Sequence, residues 1–100
     1  MMNNEKCFRM LGMAMGAGKV ITGIELCERA VKRNKAKLII LAEDAAQATK
    51  DQFENVGLPV IYAKSKEMLG KVLGKEYRSV CVVCDASFAK VIQESEETKC

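Results

Sequence analysis

The sequence predicts an α/β fold in which helices cover both faces of one sheet, and three observations predict it. Four short runs rich in aliphatic and β-branched residues recur along the chain, at 19–22, 37–42, 60–63 and 79–84. The stretches before, between and after them carry apolar residues at helical spacing or a helix-start signal. Helices and strands therefore alternate from one end to the other, the pattern of a sheet sandwiched between helix layers.

Taken in order, the elements have local causes. From Glu5 to about Gly16, Phe8, Leu11 and Met15 fall at helical spacing, and Gly16-Ala17-Gly18 ends the run. The methionines here read as core filler. Lys19-Val20-Ile21-Thr22 reads as a short strand. A second helix begins at Thr22-Gly23-Ile24-Glu25, where Thr22 and Glu25 match a capping box. Its apolar stripe is Ile24, Cys27, Ala30 and Val31, and Asn34 is placed to end it. The near-continuous apolar run 37–42 is typical of a central strand. Asp44, with Gln47 three residues on, is expected to cap a third helix that Gly57 stops before Pro59. Val60-Ile61-Tyr62-Ala63 is the next strand. Ser65 caps a fourth helix ending at Gly74, 79–84 is the last strand, and 86–93 the last helix. The acidic tail from about Glu94 is expected to be frayed. The expected core includes Leu11, Val20, Ile39, Ile40, Leu41, Val60, Ile61, Val82 and Val83.

Composition bounds the function. A chain of 100 residues fits one compact domain over 1–100, and 49% hydrophobic residues suffice for its core. No apolar run approaches the roughly 20 residues that span a membrane. The N-terminal residues lack a basic segment followed by a long apolar one, so a cytoplasmic location is expected. Five cysteines at irregular spacing read as reduced thiols. Cys81-Val82-Val83-Cys84 matches CxxC, but residues three apart on a strand point to opposite faces and cannot readily share a metal. No metal and no cofactor are expected.

Enzyme chemistry finds little support, so the expectation is a protein that is not an enzyme. With no histidine there is neither a His-based triad nor a His metal site. Gly16-Ala17-Gly18-Lys19 is not a P-loop: Met13 stands where the first glycine belongs, and Val20 where Ser or Thr belongs. Net charge is only +3, but its distribution is uneven. Residues 29–37 carry Arg29, Lys32, Arg33, Lys35 and Lys37 with no acid. A second basic segment, 64–78, carries Lys64, Lys66, Lys71, Lys75 and Arg78 against Glu67 and Glu76. Such segments raise the odds of an anionic partner. The strand that turns at Gly23 into a basic helix offers free N–H groups to an anion, with Lys19, Arg29, Lys32 and Arg33 able to surround it. Ordinary strand-to-helix punctuation with surface lysines explains the same residues.

A family resemblance adds to this reading. Gly12, Ala17-Gly18-Lys19, Thr22-Gly23, Ala30-Val31, Ala42, Asp44-Ala45, Thr49-Lys50, Pro59-Val60, Leu69-Gly70-Lys71 and Phe88-Ala89-Lys90 lie in an order that resembles the YlxQ-type branch of the ribosomal protein L-seven-Ae family. The resemblance covers roughly residues 7–93. It implies a three-layer α/β/α sandwich around a mixed four-stranded sheet. It also implies non-catalytic binding of structured RNA, a kink-turn or ribosomal RNA, by a ribosome-associated accessory protein. The implied RNA-binding residues around the first turn are Gly23, Ile24, Glu25, Leu26 and Arg29, to which the reading of the turn and its charges above adds Lys19, Thr22, Lys32 and Arg33. Glu43 and Asp44 follow the second strand, and Tyr77, Arg78, Ser79 and Val80 form the last loop. Backbone and basic groups would hold phosphates, polar side chains would read tandem sheared G·A pairs, and the last loop would pack an extruded nucleotide. Two positions depart from the family's strongest binders, which carry Asn or Lys at Glu25 and Glu or Gln at Leu26. The alternative is a protein-interaction module on the same fold that has lost RNA binding, which these two residues favour.

Overall fold

The computed structural model describes residues 5–97 of the chain, with side chains through Ser95. Nine elements alternate: α1 (Glu5–Gly16), β1 (Val20–Thr22), α2 (Ile24–Lys32), β2 (Leu38–Ala42), α3 (Gln47–Glu54), β3 (Val60–Ala63), α4 (Lys66–Val72), β4 (Val80–Val83) and α5 (Ala86–Glu97). The four strands form one mixed sheet in the order β1-β4-β2-β3. β2 runs parallel to β3 and antiparallel to β4, and β4 runs antiparallel to β1. Ile39 sits opposite both Val60 and Val82, so β2 has a neighbour on each side and every residue of it is buried.

Alternation along the strands builds two cores. Leu38 and Ile40 face a cluster with Cys7 and Leu11 of α1, Leu69 of α4, and Ala89 and Ile92 of α5. Ile39 and Leu41 face the other side, with Cys27 and Ala30 of α2 and Phe53 of α3. Three helices therefore cover one face and two the other, which is the three-layer sandwich. Of the expected core, Val60 alone is half-buried, because β3 is an edge strand. Met13 projects into solvent at 55% exposure, so it is not the filler expected of the α1 methionines.

The helix starts correct the sequence reading in two places. Thr22 is the last residue of β1, and its hydroxyl donates to the Val80 carbonyl at 3.4 Å. Gly23 is the N-cap of α2 and offers no side-chain cap, so the expected Thr22–Glu25 capping box does not form. With the helix starting one residue late, Ile24 turns outward instead of joining the stripe. Asp44 does not cap α3 either, whose N-cap is Ala46. Its Oδ1 accepts instead from the N–H of Lys66, the first residue of α4, at 2.8 Å. Ser65 caps α4 as expected, its hydroxyl accepting from the Met68 N–H at 3.0 Å. Asn34 leaves α2 with φ +59, a conformation asparagine tolerates. α5 runs on to Glu97 with Ser95 buried, so the tail from Glu94 to Glu97 is helical where fraying was expected. Cys100 lies outside the described residues.

The cysteines behave as core residues. Cys81 belongs to one core and Cys84 packs against the other, the opposed orientation expected of CxxC on a strand. Burial pushes the Cys27 thiol up to about 12 and the Cys81 thiol well above its ordinary range. An unfolded chain therefore loses these protons near pH 9 while the folded chain keeps them. The contribution of these thiols to stability should be flat below pH 9 and fall between pH 9 and 12, by about 1.4 kcal/mol per pH unit for each. Urea denaturation across that range checks it: a midpoint unchanged up to pH 11 would contradict the burial of these thiols. Reductant and chelator at neutral pH should leave the midpoint where it was.

Candidate nucleic-acid interface

The register places three loops at one end of the sheet. β1, β2 and β3 all finish where β4 begins, since Thr22 lies opposite Cys81, Leu41 opposite Val80, and Ala42 opposite Ala63. The β1–α2 turn, the β2–α3 loop and the α4–β4 loop are therefore neighbours.

Val80 anchors the first of these. Its carbonyl accepts from the Gly23 N–H at 3.4 Å, the Thr22 hydroxyl at 3.4 Å and the Cys27 thiol at 3.9 Å. Gly23 has φ +98 and ψ 143, open almost to glycine alone. That turn lets α2 start immediately, with the Gly23 carbonyl accepting from the Cys27 N–H at 2.9 Å. Behind the turn Ile24, Glu25 and Leu26 are all exposed, Ile24 at 41% and Leu26 at 53%.

The second and third loops are tied to each other. The Ala42 N–H donates to the Ser79 carbonyl at 2.8 Å, and the Arg78 N–H to the Lys66 carbonyl at 3.1 Å. With Asp44 holding the Lys66 N–H, residue 66 is fixed from both sides. The Arg78 guanidinium donates to the Tyr77 carbonyl at 2.7 Å, and Tyr77 is 60% exposed. Gly70 of α4 sits under this loop: a Cβ there would lie 2.5 Å from the Glu76 carbonyl oxygen.

Of the residues singled out from sequence, the fold gathers Thr22, Gly23, Ile24, Glu25, Leu26, Glu43, Asp44, Tyr77, Arg78, Ser79 and Val80 at this end. Val80 is corrected in role: its side chain is wholly buried, and it serves the turn through its carbonyl. Arg29 lies one turn further along α2. Lys19 is not at this end, because it precedes β1 and its carbonyl accepts from the Cys84 N–H at the far end of the sheet. Lys32 and Arg33 close α2, and Lys32 is paired with Glu28 at 3.8 Å. Lys64 and Lys66, flanking Ser65, were not singled out as site residues. Their basic segment was visible, but the Asp44–Lys66 contact that brings it beside the β2–α3 loop spans 22 residues and has no local signal. Among the described residues no group of three His, Cys, Asp or Glu side chains could hold a metal ion, and no helix is long and apolar enough to cross a membrane.

The profile of the ribosomal protein L7Ae/L30e/S12e/Gadd45 family matches residues 5–93. The chain belongs to this family. Two curated members are named RNA-binding protein YlxQ: one from Bacillus subtilis (strain 168), 35% identical over 88% of this chain and 92% of its own length, and one from Enterococcus faecium, 34% identical over 92% of each. A solved Bacillus halodurans protein described as of unknown function superposes with a TM-score of 0.84, at 31% identity over 92% of this chain and 97% of that one. A Giardia lamblia 15.5kD RNA binding protein shares the fold, with a TM-score of 0.71 at 20% identity over 94% of this chain and 91% of that one. Both solved structures superpose on nearly the whole chain, so the fold described above is shared with them.

Proposed function

We propose that the chain binds structured RNA without catalysis, at the end of the sheet built by the Gly23 turn, the Glu43-Asp44 loop and the 77–80 loop. The observation that carries the reading is the convergence of these three loops on Val80 and Lys66 in a chain of this family. The names of the YlxQ relatives support RNA as the partner class. The finer reading is a bent internal loop such as a kink-turn, in ribosomal RNA or on the ribosome. The N–H groups opening α2 suit phosphates, Arg29, Arg78 and Lys66 add charge, and exposed Tyr77 offers a stacking face. Ile24 and Leu26, exposed and apolar, favour the second reading, a protein-interaction module. Titration of a kink-turn RNA against the same RNA with its sheared pairs replaced by Watson–Crick pairs separates the readings. Preference for the bent RNA is expected. Absence of binding to either at low salt would favour the protein partner.

Glu25 tests the turn itself. It is exposed and caps nothing, and its charge in the first turn of α2 favours the helix start only modestly, so Glu25→Asn should cost no more than about 1 kcal/mol of stability. The substitution removes a negative charge beside the helix start and places a group that donates and accepts at a base edge. Kink-turn affinity should rise roughly three- to tenfold, which is about 0.7–1.4 kcal/mol. Unchanged or weaker binding would mean that Glu25 lies off the interface or contacts RNA productively.

A further inference from the structure

We propose that the end of the sheet opposite the Gly23 turn is a second RNA contact, which takes the phosphate backbone of a duplex stem flanking the bend. The inference rests on the RNA reading above and extends it to a separate surface. Lys19, Lys35 and Lys37 meet there, around the end of β4. The Lys19 N–H donates to the Ala14 carbonyl at 2.9 Å, and the Cys84 N–H donates to the Lys19 carbonyl at 2.8 Å. The Lys37 N–H donates to the Val83 carbonyl at 2.8 Å, and the Lys35 N–H to the Ala30 carbonyl at 2.9 Å. The backbone under all three lysines is thus fixed by the sheet and the end of α2. Lys35 and Lys37 lie near enough to Cys84 to offset part of the rise that burial imposes on its thiol.

A route joins this end to the turn. Arg29, Arg33 and Lys35 line one groove with Ile21, Leu26 and Ala30, along α2 beside the edge strand β1. Arg29 and Arg33 are four apart, so they share one helix face. The far end lies about 13 Å from Gly23, four extended residues away.

Charge decides the occupant. Lys19, Arg33, Lys35 and Lys37 are exposed, and none has a carboxylate at ion-pair distance among the described residues. Asp85, which follows β4, is engaged as the cap of α5, its Oδ2 accepting from the Phe88 N–H at 2.9 Å. The turn end, by contrast, mixes Lys64, Lys66 and Arg78 with Glu25, Glu43 and Asp44. Positive side chains of one sign on a fixed backbone suit phosphates, which position without reading sequence. The exposed aromatic among the described residues, Tyr77, is at the other end. Without a stacking face the patch suits a duplex better than unpaired bases.

The test uses the full chain and its Lys19→Gln/Lys35→Gln/Lys37→Gln variant, with equal melting temperatures as the check on folding. Two kink-turn RNAs are titrated across a salt series: one with its stems cut to the shortest that still pair, one with a stem extended by a helical turn. Wild type should bind the extended RNA more tightly. The triple variant should lose that gain, and its slope of log affinity against log salt should flatten by about 2–3 on the extended RNA alone. Equal wild-type binding of both RNAs, or an equal loss on both in the variant, overturns the second contact while leaving the turn intact. Failure of wild type to bind even the short RNA overturns the reading of the turn and this inference with it. Poly-glutamate that competes with the extended stem as well as plain duplex RNA does would assign the patch to an acidic protein segment, and would overturn it too.

Discussion

Gly23→Ala should cost about 1–3 kcal/mol of stability and lower the melting temperature by about 10 °C. The cause is wholly local. A Cβ at Gly23 would meet no heavy atom within 4 Å, so crowding by neighbours contributes nothing. The backbone itself is the obstacle, because φ +98 with ψ 143 is a conformation an alanine rarely holds. If alanine keeps the conformation, the fold carries the strain. If it relaxes to negative φ, the Gly23 N–H turns from Val80 and the first hydrogen bond of α2, from the Cys27 N–H to the Gly23 carbonyl, must realign. Either way the helix start no longer points its N–H groups where the wild type does. Under the proposed function, RNA affinity should therefore fall at least about tenfold, 1.4 kcal/mol, even where the variant is fully folded. A thermal melt and an RNA titration well below the melting point read the two effects separately. A melting temperature within about 2 °C of wild type would show that the turn is less demanding than its dihedrals imply.

The layered fold was legible because each β2 neighbour in sequence alternates between two cores, and both cores are aliphatic. A run such as Leu38-Ile39-Ile40-Leu41 can satisfy that demand only as a central strand. Helix starts were less legible. Thr22 and Glu25 have the spacing of a capping box, yet the Thr22 hydroxyl is taken by a strand 58 residues away. Asp44 and Gln47 likewise imitate a local cap, while Asp44 ties down the start of a different helix. Thr and Asp side chains bond whichever backbone C=O or N–H the tertiary fold brings near, and spacing alone does not rank the candidates. Ser65 was read correctly because its partner, the Met68 N–H, is the local one that the spacing points to.

The site divides in the same way. The Gly23 turn was read from the residues themselves, Asp44 and the 77–80 loop entered the site through the family resemblance, and the structure supplies a physical reason for each. The glycine holds a positive φ, the aspartate fixes Lys66, and the loop is bonded to Ala42 and Lys66. Lys19 and Arg33 were grouped with the turn because they are close in sequence. A strand of three residues and a helix of nine carry them away from it instead. Sequence proximity is a poor guide to charge proximity wherever an extended element intervenes.

Gly70→Ala is expected to have the second large effect, and for the opposite physical reason. Gly70 lies inside α4 and is buried, so its backbone would accept an alanine readily. The space would not. An added Cβ would stand 2.5 Å from the Glu76 carbonyl oxygen, 2.7 Å from its carbon and 2.9 Å from the Tyr77 nitrogen. All three are backbone atoms, so no side chain can swing aside. The chain is also held there by the Lys75 N–H, which donates to the Gly70 carbonyl at 2.7 Å. The peptide joining Glu76 to Tyr77 must therefore move, or α4 must shift and carry Leu69 against the core beneath it. Overpacking of this kind costs about 1–3 kcal/mol. Higher helix propensity returns at most about 1 kcal/mol of that, so the net change should be destabilising. Displacement of the 76–77 peptide would carry Tyr77 and Arg78 with it, since the Arg78 guanidinium is bonded to the Tyr77 carbonyl. RNA affinity should fall together with stability, whereas a stability defect confined to the core would leave the affinity of the folded fraction unchanged. Amide chemical shifts of residues 75–80 provide the direct reading. Shifts confined to the immediate neighbours of residue 70, with wild-type stability, would show that the close approach of helix and loop is not required.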